Sequence, residues 1–121
     1  MKKSYLLFIA YFCFLGLAFA QPANDNPQNA IDLTMSFSCN SITGTNLNAT
    51  ASEVADPTIP APGCASYQGN DVWFKFIVPP SGDVTVRTTF VTGSDVSDSD
   101  IALYSGNIGA FVLEAETING W

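Results

Sequence analysis

From Val72 to Val78 the chain alternates: Val72, Phe74, Phe76 and Val78 share one side, and Trp73, Lys75 and Ile77 share the other. A period of two is that of a pleated strand with one face against a core. Pro79-Pro80-Ser81-Gly82 ends the run, because proline cannot donate to a ladder and glycine reaches turn dihedrals. Alternation resumes from Val84 to Thr88, so the segment predicts a β-hairpin.

Shorter runs follow the same template. Ala30, Ile31 and Leu33 begin the ordered part as a short turn or first strand. From Thr34 to Cys39, residues Met35, Phe37 and Cys39 fall on one side, which makes Phe37 a core candidate. Ile42 to Leu47 is a weaker strand. Ile101 to Tyr104 predicts a short buried strand, Ser105-Gly106-Asn107 a turn, and Phe111 to Ala115 one more strand with Phe111 and Leu113 on one face. Between these, Glu53 to Gln68 contains Pro57, Pro60, Pro62 and Gly63, a density that excludes regular helix and central strand alike. Phe90 to Ser99 is a Gly/Ser/Asp loop. No helical period exceeds two turns and no internal repeat occurs, so the fold class expected is all-β, an antiparallel sandwich of short strands.

The first twenty residues obey another rule. Lys2 and Lys3 precede an apolar run from Tyr5 to Phe19, closed by Ala18-Phe19-Ala20, the small-x-small pattern of a cleaved signal peptide. The run is shorter than the ~20 residues a bilayer-spanning helix needs, so no membrane span is expected after cleavage. Cys13 follows bulky Tyr11 and Phe12, unlike a lipid-attachment cysteine, and belongs to the removed segment. The expected organisation is a signal-peptide helix over 1–20, an extended polar leader over 21–29, and a β-sandwich domain over 30–121. A secreted or cell-surface location follows.

Export changes the charge picture. The residues after Ala20 keep two cations, Lys75 and Arg87, against all eleven Asp and Glu, a formal charge of −9. Such a field repels phosphate backbones and anionic lipid, which argues against nucleic acid and peripheral membrane as partners. A chain of this length buries roughly two-thirds of its unfolded surface, enough for one domain. Two cysteines survive export, Cys39 and Cys64, and an oxidising compartment predicts their pairing. The bridge would close a loop of about 25 residues and contribute ~3 kcal/mol.

Candidate chemistry is sparse. Without any histidine there is no Ser-His-Asp triad, no Cys-His pair and a poor zinc site, and no glycine-rich phosphate loop precedes a helix. No carboxylate pair lies in a motif that would split two acids into donor and base. The chain is therefore expected not to be an enzyme. Asp95, Asp98 and Asp100, interleaved with Ser94, Ser97 and Ser99, are hard oxygen ligands of the kind Ca2+ takes, although their spacing is not that of an EF-hand and a solvated acidic loop gives the same pattern. Asp71 joins such a site or caps the turn before the strand. Trp73 is the side chain a carbohydrate-binding face would use, stacking its indole on a sugar, or else it packs beneath the proline-rich connection. Tyr67 and Tyr104 carry the same two readings. Asn48-Ala49-Thr50 fits the N-glycosylation triplet.

Three segments in order, Asn70 to Pro79, Ser81 to Val86 and Ser99 to Gly106, resemble the bacterial pre-peptidase C-terminal type of domain found on secreted proteases and surface proteins of Bacteroidetes. Pro22-Ala23-Asn24-Asp25-Asn26-Pro27 and the placing of the two cysteines around Thr43 to Ser52 resemble it too, so the likeness runs from Gln21 to Phe111. It implies a jelly-roll-like sandwich and a non-catalytic accessory module that binds extracellular polysaccharide or protein. The stretch Glu114 to Trp121 departs from the family's acidic loop, and six or seven strands fall short of the about eight of a jelly roll. An incomplete sandwich is therefore expected, and a truncated, non-functional fragment of a larger exported protein or protease is the alternative.

Overall fold

The computed structural model describes residues 20–63, 67–94 and 99–117; for Glu116 and Thr117 only the backbone is described. The signal segment lies outside these residues. Four strands and little helix make a small all-β fold. The strands are β1 (Ile31–Asp32), β2 (Phe74–Lys75), β3 (Ile101–Asn107) and β4 (Ala110–Thr117), with one helical turn, α1 (Ser52–Ala55), and a 3-10 turn at Pro27–Asn29. Among the described residues no helix is long and apolar enough to cross a membrane.

The β-hairpin is β3 and β4, not the segment whose alternation is strongest. Tyr104 opposes Leu113 and Gly106 opposes Phe111, so these apolar side chains share a face, while Val112 and Glu114 are exposed on the other. Ser105 Oγ donates to Glu114 on that outer side. β3 runs through the Ser105-Gly106-Asn107 stretch expected to turn, and the reversal comes at Ile108-Gly109, where Gly109 takes φ 84°.

The expected hairpin of 72–78 with 84–88 is absent. Its turn exists, since the Gly82 N–H donates to the Pro79 carbonyl at 2.9 Å, but no ladder forms beside it. β2 instead pairs parallel with β1, Ile31 opposite Phe74 and Asp32 opposite Lys75, and the register continues as the Leu33 N–H donates to the Lys75 carbonyl at 2.8 Å. Phe74 and Phe76 are half-buried and Ile77 is exposed, as alternation requires. Val78 breaks the pattern and is exposed; Trp73 breaks it and is half-buried. Thr34 to Cys39 and Ile42 to Leu47 form no strand, and Phe37, expected in the core, is fully exposed.

The leader, expected to run extended onto the domain, contains a turn and buries part of its length. Asn24, Asp25 and Pro27 are buried, and a turn closes from Pro22 to Asp25. Its polar side chains are used as internal connectors, which hydropathy cannot register. Trp73, Tyr104 and Phe111 bring the two small sheets together, with ring centroids 5.3, 5.5 and 6.1 Å apart. Each such pair contributes ~0.5–1.5 kcal/mol beyond its buried area. The proline-rich connection lies against this cluster: Ile59 is buried and Tyr104 Oη donates to the Pro60 carbonyl at 2.8 Å.

Candidate functional site

Gly69 and Asn70 take φ 78° and 60° in succession, a left-handed pair that glycine and asparagine tolerate. They swing the chain back so that the Asp71 N–H meets the Thr50 carbonyl at 3.3 Å. The Asp71 carboxylate then faces α1. Its Oδ1 accepts the Ser52 backbone N–H at 3.0 Å and the Tyr67 hydroxyl at 2.7 Å, and its Oδ2 accepts the Trp73 indole N–H at 2.9 Å. The indole hydrogen also lies 2.8 Å, donor to acceptor, from the Ser52 hydroxyl. Ser52, the most deeply buried residue described, donates that hydroxyl to the Asp25 carbonyl at 3.4 Å.

Asp25 repeats the device one step away. Only 4 % exposed, its carboxylate accepts the Thr50 N–H at 2.6 Å and the Thr50 hydroxyl at 2.8 Å. No cation faces Asp25 or Asp71 among these contacts; oriented N–H and O–H dipoles satisfy them, the usual condition for burying a carboxylate. The ion pair Lys75–Asp32, at 3.5 Å, is exposed and far from decisive for stability. Tyr67 is bonded by Glu53 and Asp71 at once, and burial, followed by those two bonds, pushes its phenol well above the usual tyrosine range. The knot ties leader, α1, the end of the proline-rich connection and the approach to β2.

Of the side chains singled out in the sequence, Trp73 is at the centre, with its ring against Tyr104 and Phe111 and its N–H bonded inward. Asp71 bonds across to α1 rather than capping its own turn. Asp100 is exposed beside β3, whereas Asp95 and Asp98 lie outside the described residues. Cys39 is exposed and has no disulfide partner among the described residues, and Cys64, its expected partner, lies outside them. Among the described residues no three His, Cys, Asp or Glu side chains group as metal ligands do. Asn24, Asp25, Thr50 and Ser52 escaped sequence reasoning. The signal available was an Asp two residues before a Trp, with small hydroxyl residues in a stretch otherwise poor in apolar side chains.

An open groove of about 490 Å³ at the end of the β1–β2 pair is lined by Asp32, Leu33, Met35, Lys75, Phe76 and Ile77. Ile77 is 87 % exposed. No family model, curated protein or solved structure matches the chain significantly.

Proposed function

We propose that this chain is a secreted, non-catalytic binding module of the pre-peptidase C-terminal type, a jelly-roll-like sandwich that engages a protein at or outside the cell surface. One observation carries the choice of protein over polysaccharide. Trp73, the flat ring a sugar would need, is committed to Tyr104, Phe111, Ser52 and Asp71, while the exposed apolar side chains on and just after β2 and in the groove beside it are aliphatic: Ile77, Val78 and Met35. Aliphatic surface beside charged groups such as Asp32 and Lys75 suits a protein partner. The Cys39–Cys64 bridge, the signal peptide and a Ca2+ ion at Asp95, Asp98 and Asp100 belong to the same reading and rest on the sequence.

The test is retention of exported proteins, and separately of insoluble polysaccharides, by immobilised residues 21–121 and by an Ile77→Asp, Val78→Asp variant. Protein retention that the variant loses supports the reading. Polysaccharide retention that Trp73→Ala abolishes would replace it with the carbohydrate one.

A second reading has its own support. Ala49 and Ile59 are the hydrophobic residues buried below a tenth exposure among those described, few for a finished core. On that reading the chain is a fragment of a larger exported protein. A cooperative thermal transition of residues 21–121 would argue for a domain, and a featureless melt for a fragment.

A further inference from the structure

Cleavage after Ala18-Phe19-Ala20 makes Gln21 the first residue of the exported chain, and the site rests on that exported reading. Gln21 is exposed. Two carbonyls come within ring-closing reach of the new α-amine, that of the Gln21 side-chain amide and that of Pro22. The structure separates them. Pro22 is half-buried, and its carbonyl accepts the Asp25 N–H at 3.1 Å, which holds it in the turn that enters the fold. The exposed side-chain amide of Gln21 is the carbonyl left to fold back.

We propose that Gln21 is a modification site, at which the exported chain closes its first residue to pyroglutamate. The α-amino nitrogen attacks the Cδ of the side-chain amide, so that an N–Cδ bond forms and the Cδ–NH2 bond breaks. One proton passes from the attacking nitrogen to the departing one, which leaves as ammonia. No oxidant, reductant or second reactant enters the step. Gln28 and Gln68 lie within the chain, carry no α-amine and cannot follow the same route. The product is a neutral lactam, so the positive charge of the terminus is lost. Its consequence is set by the residues behind it. Exopeptidases that trim an N-terminus recognise its free ammonium, and a few steps inward they would reach Asn24 and Asp25, both buried. The Asp25 carboxylate accepts the Thr50 N–H and hydroxyl, so losing it strands both donors. The lactam keeps the leader whole.

The test expresses the full chain with its own signal segment in a secreting bacterial host, holds the recovered protein at neutral pH and reads its N-terminal peptide by mass spectrometry. The wild-type peptide should start at residue 21, be lighter than the encoded one by one ammonia, and resist Edman degradation until treated with pyroglutamyl aminopeptidase. Gln21→Ala should start at the same position with its full mass and a free amine. An uncyclised Gln21 in the wild type, or a chain that begins at Ala23 through loss of Gln21-Pro22, overturns the modification and leaves export standing. A chain that keeps residues 1–20 overturns the exported reading and the site with it. Under an aminopeptidase that accepts Xaa-Pro termini, Gln21→Ala should lose leader residues and the wild type none; equal trimming of the two overturns the protective role.

Discussion

Asn24 and Trp73 are bonded to each other twice: the Trp73 backbone N–H donates to the Asn24 carbonyl at 2.8 Å, and the Asn24 side-chain amide donates back to the Trp73 carbonyl at 3.0 Å. Forty-nine positions separate them along the chain. The pairing makes the polar leader a structural neighbour of β2, and it places Asp25 where its carboxylate closes on Thr50.

Removing residues 21–26 should therefore destabilise the fold far more than trimming a solvated leader would. Asp25→Ala alone leaves the Thr50 N–H and hydroxyl without their acceptor and should cost about 2 kcal/mol, read as a lower urea midpoint at unchanged slope. Unchanged midpoints for both variants would mean that the leader does not hold the native state.

Asp71 gathers three donors from three places: the start of α1, Tyr67 and Trp73. Asp71→Ala leaves the Ser52 N–H without its acceptor, takes one of two acceptors from the Tyr67 hydroxyl and from the Trp73 indole, and should cost about 2 kcal/mol, with a red shift of Trp73 fluorescence as its indole loses part of its anchor. Asp71→Asn keeps one acceptor oxygen but turns the other toward a donor with an NH2 group. Its cost should fall between wild type and alanine, measured in the same denaturation series.

How much of this was legible depends on how far apart partners lie. The β4 alternation of Phe111 and Leu113 could be read because its partner, β3, is two residues away across Ile108-Gly109. The alternation at Phe74 to Ile77 was equally visible. Its partner was not, because β1 lies more than forty residues upstream, and a period of two specifies a face without specifying a neighbour. Phe37 shows the same limit: alternation put it on a side, and in the absence of a covering layer that side is solvent. The polar knot was least legible, since Asn24, Asp25 and Ser52 are residue types that composition assigns to surface loops.

Alkaline pH should act through Tyr67. Its folded-state ionisation is raised above the ordinary value near 10, first by burial and then by Asp71 and Glu53. The sign is that of a group whose neutral form the fold prefers: the stabilisation is fully present below the unfolded tyrosine's value and is lost as pH rises beyond it. After Ala20 the chain keeps two tyrosines, Tyr67 and Tyr104. Phenolate absorbance should therefore show one component that appears only as the fold opens, and Tyr67→Phe should abolish that component. A Tyr67 phenolate formed while Trp73 fluorescence is still native would contradict the assignment.

Two glycines with nearly the same backbone separate strain from crowding. Gly69 has φ 78° and Gly82 φ 79°, so alanine at either position pays for a left-handed conformation, about 1 kcal/mol. Beyond that they differ. Nothing lies within 4 Å of a Cβ placed on Gly82, whereas a Cβ on Gly69 stands 2.6 Å from the Ala51 Cβ and 3.2 Å from its Cα. Ala51 precedes Ser52, so relieving the clash pushes α1 away from Asp71 and pulls at the Ser52 N–H bond that ties them. Gly82→Ala should cost about 1 kcal/mol and leave Trp73 fluorescence native. Gly69→Ala should cost about 2 kcal/mol more, with the Trp73 signal altered as in Asp71→Ala. Equal destabilisation of the two would show that the 69–71 turn does not set the distance between α1 and the approach to β2.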